Sequence, residues 1–180
     1  TILIILGLTL GFYSYWDIST FEQRCTNFEY DEMLPKECMA SALESAKKGG
    51  KGAIFIYTRQ LEMTVIDETY RVNPPIKSLA DAIINREAPS KTEYLFWLRI
   101  AAKNGEALCI RTALDFCQAG VPSFDSVFIQ QIFDSPQRKT WYSDPDPMMK
   151  ETNRSELAWI DDLERSWHNG KFSPCIVPDH

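Results

Sequence analysis

The sequence predicts a mainly α protein, in which an N-terminal transmembrane helix is followed by an antiparallel, repeat-like helical-hairpin domain. Two observations lead to this fold class. Residues 2–16, ILIILGLTLGFYSYW, contain no charged side chain. Further along, residues 96–120 join two alanine-rich, helix-favouring runs through little more than Asn104 and Gly105. A connection that short places two helices antiparallel and in direct contact.

The uncharged N-terminal run is interpreted as a membrane anchor. About 15 residues at a rise of 1.5 Å cover about 22 Å, less than the ~30 Å hydrocarbon core, so we expect a few neighbouring residues to complete the span. Aromatic side chains gather at one end of the run, as they do at membrane interfaces: Phe12, Tyr13, Tyr15 and Trp16. A secretory signal and a buried core helix are the alternatives. A retained signal anchor is the preferred interpretation.

The residues that follow the anchor indicate which side of the membrane the body faces. Between Asp17 and Glu32 the only basic residue is Arg24, so this flank lacks the Lys/Arg excess that holds a segment in the cytoplasm. The five cysteines agree with an oxidising compartment. We therefore expect a single-pass membrane protein with a periplasmic or otherwise extracytoplasmic body, which contacts lipid through residues 2–16.

The cysteine positions restrict how disulfides can form. Cys25 and Cys38 flank a polar, proline-containing connection between anchor and body, and they are the predicted pair. Cys109 and Cys117 lie about 12 Å apart if they share a helix, beyond the roughly 7 Å Cα separation that a disulfide allows. Cys175 can pair with either of these two, or all three remain unbridged as small apolar side chains.

The helices before the hairpin are predicted from their ends. Pro35 suits a first helical turn, and the run that follows it stops at Gly49 and Gly50. Residues 53–72 have apolar residues at helical spacing, although their β-branched residues would also suit a pair of strands. Helix is preferred because no Asn-Gly or Asp-Gly turn divides the stretch. Asn73, which precedes two prolines, ends it.

Three capping signatures mark later helix starts, because backbone N–H groups at a helix N-terminus need an acceptor. They are Ser78 with Asp81, Ser90 with Glu93, and Asn153 with Glu156. Apolar residues at helical spacing follow each signature, so all three are predicted to begin helices. A further helix is predicted from Ser123 to Phe133.

The hairpin at residues 96–120 is the centre of the predicted domain. Its first helix ends at Gly105, where glycine can take the left-handed backbone that closes a helix. Its second helix starts with Glu106 and ends at Gly120. Small alanines allow close approach of the two helices, while Trp97 belongs to the apolar side chains that are offered to neighbours.

Part of this pattern recurs elsewhere in the chain. Ala46-Lys47-Lys48-Gly49 aligns with Ala102-Lys103-Asn104-Gly105, and a third possible unit closes at Trp167-His168-Asn169-Gly170. Repetition of this kind is typical of stacked helical hairpins, which leave an extended concave surface for a partner. An ordinary helical bundle is the alternative interpretation.

The segment WLRIAAKNGEALCIRTALDFCQAGVP resembles a Sel-one-like repeat, a relative of the tetratricopeptide repeat. The likeness lies in the aromatic residue, the paired alanines, the glycine and the next alanine, followed by a glycine-closed second helix. It extends weakly to residues 40–63 and departs at Arg111, where a small residue is usual. The resemblance implies a scaffold or adaptor, often in a bacterial envelope, and no catalytic residues.

Four regions follow from these elements. They are the anchor helix at residues 1–21, the helical-hairpin domain at 22–134, a proline-rich arm at 135–152, and a C-terminal helix and tail at 153–180. The arm contains Trp141 beside Tyr142, which is a candidate docking hot spot or, equally, packs on the body. Trp97 is the third candidate partner-binding residue.

Charge and motifs narrow the functional class. The net charge of −6 and the absence of a long basic stripe argue against nucleic-acid binding. The sequence has no nucleophile elbow, zinc-protease motif or phosphate-binding glycine loop. Its two histidines have no partner at zinc-site spacing, so no metal or cofactor is predicted.

The predicted function is that of a membrane-anchored helical adaptor, a subunit or an assembly or regulatory factor of a bacterial envelope complex. Such a protein acts by binding other membrane or envelope proteins and is not an enzyme. The alternative is an envelope enzyme, such as a cell-wall hydrolase, with a carboxylate in a helical cleft. A deep pocket around a buried Glu with a raised pKa would favour that alternative.

Overall fold

The computed structural model describes residues 33–70, 77–136, 158–166 and 168–169, together with Cys25 and Cys175. Every extended regular element within these ranges is a helix, which confirms the mainly α class. The chain divides into two compact units, Thr1–Met63 and Thr64–His180, with the boundary inside the helix Lys51–Tyr70.

Six helices are bounded within the described ranges. They are α1 (Lys36–Lys47), α2 (Lys51–Tyr70), α3 (Leu79–Asn85), α4 (Lys91–Asn104), α5 (Ala107–Gln118) and α6 (Ser126–Phe133). Residues 158–166 are also helical.

Helix α2 resolves the ambiguity of residues 53–72 in favour of helix as far as Tyr70. Residues 71–72 and the predicted end at Asn73 lie outside the described residues. Two β-branched residues of α2, Thr58 and Thr69, are buried. Their hydroxyls donate to the carbonyls of Ile54 and Val65, four residues earlier, at 2.7 and 2.8 Å. This local bonding satisfies the hydroxyls inside the helix, so neither needs a partner on another strand.

A disulfide and a hydrogen bond attach the chain near the start of α1 to the rest of the first unit. Cys25 and Cys38 are joined by a disulfide with a Cα separation of 5.9 Å, as predicted. The backbone N–H of Leu34 donates to the side-chain oxygen of Gln60 at 2.8 Å. Pro35 is the N-cap of α1, with φ of −55° and ψ of 148°, so it lies one position before the first helical turn in which the sequence placed it.

Glycines close three helices through the same hydrogen-bond pattern. Gly49, Gly105 and Gly120 have φ values of +85°, +98° and +73°. After each helix, the glycine N–H and the N–H of the next residue both donate to carbonyls of the last turn. This pattern is the Schellman motif, which needs a left-handed residue. The predicted ends of α1, α4 and α5 are therefore confirmed.

The predicted N-caps have different outcomes. Ser78 caps α3, because its hydroxyl accepts the N–H of Asp81 at 3.1 Å. Ser90 precedes α4 but makes no capping bond; its hydroxyl and N–H instead donate to the carboxylate of Glu68 at 2.5 and 3.2 Å. Ser90 itself has a helical backbone, with φ of −82° and ψ of −6°, and not the extended backbone from which an N-cap hydroxyl accepts a helix N–H. The third signature, Asn153 with Glu156, lies outside the described residues.

Helix α6 begins later than predicted. Ser123 has a left-handed backbone with φ of +73° and cannot be a helical residue. The helix starts at Ser126, where the carboxylate of Asp125 accepts the N–H of Phe128 at 2.8 Å. Asp125 is therefore the N-cap, a role that the sequence analysis did not assign to it.

The core of the second unit lies among α4, α5 and α6, which pack against one another. Four aromatic rings form an edge-to-face series: Tyr94 with Phe116 at 6.3 Å, Phe116 with Phe124 at 5.3 Å, and Phe124 with Phe128 at 5.3 Å between ring centroids. Tyr94 lies near the start of α4 and Phe116 near the end of α5. Their contact shows that these two helices run antiparallel, as the short connection predicted.

No helix in the described parts of the chain combines the length and apolarity that a membrane span requires. Residues 2–16, including the aromatic cluster of Phe12, Tyr13, Tyr15 and Trp16, lie outside those parts. The membrane anchor therefore stays a prediction.

Candidate functional site

Helix α4 buries one side and exposes the other. Its buried side chains pack in the core: Tyr94, Trp97, Leu98, Ala101 and Ala102. On another side, Phe96 keeps 58% of its surface exposed, while Arg99 and Lys103 are half-buried. Residues three, four and seven positions apart share one side of a helix. Phe96, Arg99 and Lys103 therefore form one continuous surface, the α4 outer face.

Arg99 is held in place by contacts with the start of α6. Its guanidinium carbon lies 4.1 Å from the ring centroid of Phe128 and 5.8 Å from that of Phe124. One guanidinium nitrogen also donates to the backbone carbonyl of Ser123. The cation covers the edge of the aromatic core and is attracted by the ring face. Its side chain is thus ordered before any partner binds.

Lys103 brings a second positive charge to the same ring. Its ammonium nitrogen lies 5.6 Å from the centroid of Phe128. Its backbone carbonyl accepts a hydrogen bond from the Ser135 hydroxyl at 2.8 Å, which ties the end of α4 to the end of α6. Two cations therefore share one aromatic ring at the surface.

Neither cation is neutralised within the part of the chain that the structure describes. Other basic side chains there pair with carboxylates three residues away: Lys47 with Glu44, Arg59 with Glu62, and Arg165 with Asp162. Arg99 and Lys103 form no such ion pair with any described residue. The α4 outer face is consequently a local positive surface on a chain of net charge −6.

Of the three predicted partner-binding residues, Trp97 is the one that lies in the described part of the chain. Trp97 is buried, with 6% of its surface exposed, and its ring contacts Phe96 edge to face at 5.5 Å. Its side chain therefore offers little surface itself and supports Phe96. Trp141 and Tyr142 lie outside the described residues, and their docking role stays a prediction.

Sequence reasoning missed Phe96 as a binding residue. Helical periodicity contained the signal, because Phe96 falls beside Arg99 and Lys103 and away from the stripe of Tyr94, Leu98 and Ala101. An aromatic residue on the basic side of an amphipathic helix is out of place for packing. A single exposed apolar residue is ordinary at a protein surface, and the two adjacent cations are what make Phe96 a candidate contact.

A second exposed aromatic lies near α5. Trp159, in the C-terminal helical segment, is 41% exposed, and the guanidinium carbon of Arg111 lies 5.8 Å from its ring centroid. A disulfide between Cys117 and Cys175, with a Cα separation of 4.9 Å, links the same helix to the tail. Of the two partners left open for Cys175, the structure selects Cys117, and Cys109 is buried outside both bridges.

Glu106 is the buried carboxylate of the described residues, with 4% of its surface exposed. It precedes α5, and its carboxylate accepts the backbone N–H of Cys109 at 2.6 Å. That hydrogen bond satisfies a helix N-terminus. Within the described ranges, no three His, Cys, Asp or Glu side chains converge as a metal site requires.

Comparison with known proteins gives no matching family model, no matching curated protein and no matching solved structure. The resemblance to Sel-one-like repeats therefore rests on the residues quoted for it and stays a prediction.

Proposed function

We propose that this protein is a membrane-anchored helical adaptor, a subunit or an assembly or regulatory factor of a bacterial envelope complex, which acts by binding other membrane or envelope proteins. The observation that carries the proposal is the α4 outer face. There an exposed phenylalanine adjoins two cations that have no carboxylate partner among the described residues.

The composition of this face suits a protein interface. Aromatic residues and arginine are enriched at the centres of interfaces and supply most of their hot spots. Arg99 is already ordered by Phe128 and Ser123. A partner that binds it loses less side-chain entropy than it would on a mobile arginine.

The disulfides support an extracytoplasmic location for the body of the protein. The disulfides Cys25–Cys38 and Cys117–Cys175 fit an oxidising, extracytoplasmic compartment. In the proposal, residues 2–16 hold the chain at the membrane, so that its body meets partners within a limited volume. Anchoring of this kind raises the effective concentration of a neighbour on the same membrane.

Affinity purification tests the adaptor function. The full chain, tagged at its C-terminus, is isolated from native membranes in mild detergent, and co-purifying proteins are identified by mass spectrometry. We expect a stoichiometric companion that is lost from the Phe96→Ser variant. Ile84→Ser is the matched control, because Ile84 is also an exposed apolar helix residue but lies on α3. A monomeric chain without a companion would contradict the proposal.

The alternative function, an envelope enzyme such as a cell-wall hydrolase, gains one candidate residue. Glu106 is the buried carboxylate that such an enzyme would require. Its hydrogen bond to the Cys109 N–H gives it a structural task without any substrate. Release of soluble fragments from peptidoglycan by the purified chain, and not by Glu106→Gln, would favour the enzyme over the adaptor.

A further inference from the structure

The charge on the α4 outer face restricts what can bind there. The only carboxylate of α4 is Glu93, which lies six residues before Arg99 and ten before Lys103. At a rise of 1.5 Å per residue these separations are about 9 Å and 15 Å along the helix axis. Glu93 is therefore too far away to pair with either cation, and neither cation forms an ion pair with Asp125 or Asp134, which flank the face from α6. A ligand that brings a negative charge would supply the missing complement.

The geometry of Arg99 favours a carboxylate as that charge. Arginine has five N–H donors in a planar fork, and a single hydrogen bond, to the Ser123 carbonyl, is made within the described residues. Its ring contacts fix the plane of the fork. A carboxylate can accept two parallel hydrogen bonds from such a fork, and Lys103 adds a third donor nearby.

A ligand that supplies a carboxylate to Arg99 must also supply an apolar group, because Phe96 lies beside it. Its ring lies one helical turn from Arg99 and is 58% exposed. Burial of that ring by a partner's apolar side chain removes aromatic surface from water. The two requirements together are met by a peptide segment in which an apolar and an acidic side chain are close in sequence.

We infer that the α4 outer face binds a segment of a partner protein that presents an apolar side chain to Phe96 and a carboxylate to Arg99 and Lys103. This inference rests on the proposed adaptor function and names the chemistry of its partner.

Two other occupants fit the face less well. In a two-fold interface between copies of this chain, the same patch meets itself, so Arg99 and Lys103 would face identical cations. An anionic lipid surface attracts each basic residue by about 1 kcal/mol, which for two cations is weak. A peptide carboxylate that uses both cations with fixed geometry is favoured over either occupant.

The test uses the full chain in mild detergent and a display library of random peptides of about 12 residues, a length that spans a typical recognition motif. Peptides selected on the native chain should contain Asp or Glu within about four residues of an aromatic residue, Leu or Met, since those positions share a face. The strongest peptide is then synthesised with a fluorophore, and its Kd is measured by anisotropy.

Variants of Phe96 and Lys103 test whether the selected peptide binds at the α4 outer face. We expect Phe96→Ser and Lys103→Glu each to raise the Kd by about tenfold or more. Leu108→Ser and Lys47→Glu are the matched controls, since they change an exposed apolar residue of α5 and a lysine of α1. They should leave the Kd unchanged. Circular dichroism verifies that each variant is folded, and Lys103→Gln provides a milder replacement if Lys103→Glu is not.

Three results would overturn the inference. Selected peptides that as a group lack acidic residues would remove the carboxylate from the site. An unchanged Kd in both Phe96→Ser and Lys103→Glu would place binding elsewhere. Phosphatidylglycerol vesicles that bind the full chain more tightly than phosphatidylcholine vesicles do, with a difference that Lys103→Glu abolishes and the peptide does not compete for, would make the face a lipid contact.

The same variants separate this inference from the adaptor function. A companion that co-purifies equally with native chain, Phe96→Ser and Lys103→Glu supports an adaptor and overturns the assignment of its site. Acidic peptides that bind as expected, without any companion in native membranes, support the face chemistry and overturn the adaptor function.

Discussion

Glu106 forms hydrogen bonds with both helices of the central hairpin, at the end of α4 and at the start of α5. Its N–H donates to the Ala101 carbonyl at 3.1 Å and completes the end of α4. Its carboxylate accepts from the Cys109 N–H at 2.6 Å and begins α5. One residue therefore satisfies both helix ends, which allows the two-residue connection predicted from the sequence.

Replacement of this cap should be costly. We expect Glu106→Ala to lower the free energy of unfolding by about 1–2 kcal/mol, because the N–H of Cys109 loses its acceptor at a buried position. Glu106→Gln keeps a side-chain oxygen and should lose less. Urea unfolding followed by circular dichroism measures both variants. Equal, negligible effects would show that the cap contributes nothing.

Two aspartates should respond to pH in opposite ways. Partial burial raises the pKa of Asp115, although Arg111 opposes the shift. The hydrogen bond from Asn85 is the main cause that lowers the pKa of Asp81, and the N–H of Lys77 adds to it. A raised pKa means that the charged carboxylate destabilises the fold above that pKa. A lowered pKa means that the charged form stabilises the fold above the unfolded pKa of about 3.9.

Asn substitutions at these two positions should change the stability of the protein in opposite directions at pH 7. At pH 7, Asp115→Asn should stabilise the protein slightly, because the substitution removes a negative charge from the last turn of α5, where solvent screens most of the effect of an exposed carboxylate. Its gain should disappear as the pH falls through the folded pKa of Asp115 toward about 4. Asp81→Asn should destabilise at pH 7, and its loss should shrink as Asp81 becomes protonated below about pH 4.

Urea unfolding of the three proteins across this pH range gives the comparison. Asparagine and aspartate have similar helix propensities, so propensity does not explain a difference. Shifts of the same sign at pH 7 for the two variants would contradict the assigned causes.

At the scale of the elements, the glycine at each helix end makes a short connection possible. Gly49 and Gly105 close α1 and α4 with the same pair of hydrogen bonds. The aligned sequences around Ala46 and Ala102 therefore correspond to one structural event, a left-handed helix end. That local correspondence does not by itself make the two segments repeats of one fold unit.

Alanine substitutions at two exposed glycines near this connection test the effect of backbone strain separately from the effect of packing. A Cβ atom at Gly49 or at Gly52 would meet no neighbour within 4 Å, but only Gly49 has a positive φ, of +85°. We expect Gly49→Ala to destabilise by about 1–2 kcal/mol, because a left-handed backbone is strained for alanine.

Gly52→Ala is the matched control. Gly52 lies in the first turn of α2, where alanine has the higher helix propensity, so we expect stabilisation by about 0.5 kcal/mol. Thermal unfolding of both variants should show midpoints that move in opposite directions. A loss of stability in Gly52→Ala as large as that in Gly49→Ala would remove backbone conformation as the cause.

At the scale of the whole molecule, each compact unit contains one disulfide. Cys25–Cys38 closes a loop with a sequence separation of 13, and Cys117–Cys175 closes one of 58. A disulfide restricts the unfolded chain, and this effect grows slowly with loop length. The longer loop should therefore contribute more to stability.

Single serine variants compare the two bridges. Loop-closure entropy predicts losses of about 4 kcal/mol for Cys175→Ser and about 3 kcal/mol for Cys25→Ser. Both replaced residues are half-buried, so the two variants should lose similar amounts of stability from the packing of the cysteine side chain itself. Urea unfolding with an intrinsic tryptophan signal measures the losses, and Cys109→Ala, which leaves both bridges, is the control. A larger loss for Cys25→Ser would contradict the loop-length argument.

Local signals in the sequence were sufficient for much of the fold. Pro35, Gly49 and Gly105 fixed helix ends because capping depends on backbone geometry within a few residues. The same signals failed at two helix starts. Ser90 has a helical backbone, and its hydroxyl donates to Glu68, 22 residues earlier, without capping α4. Ser123 has a left-handed backbone, and α6 begins after the cap at Asp125.

Spacing along the chain was enough to predict the helical class, the antiparallel pair α4 and α5, and the Cys25–Cys38 bridge. Three other features depended on contacts between residues that are distant in sequence. Tertiary structure selected Cys117 over Cys109 for Cys175, buried Trp97, and left Phe96 exposed beside Arg99 and Lys103. The reason is that exposure and charge compensation depend on which side of a helix its neighbours cover, and residues far apart in sequence supply those neighbours.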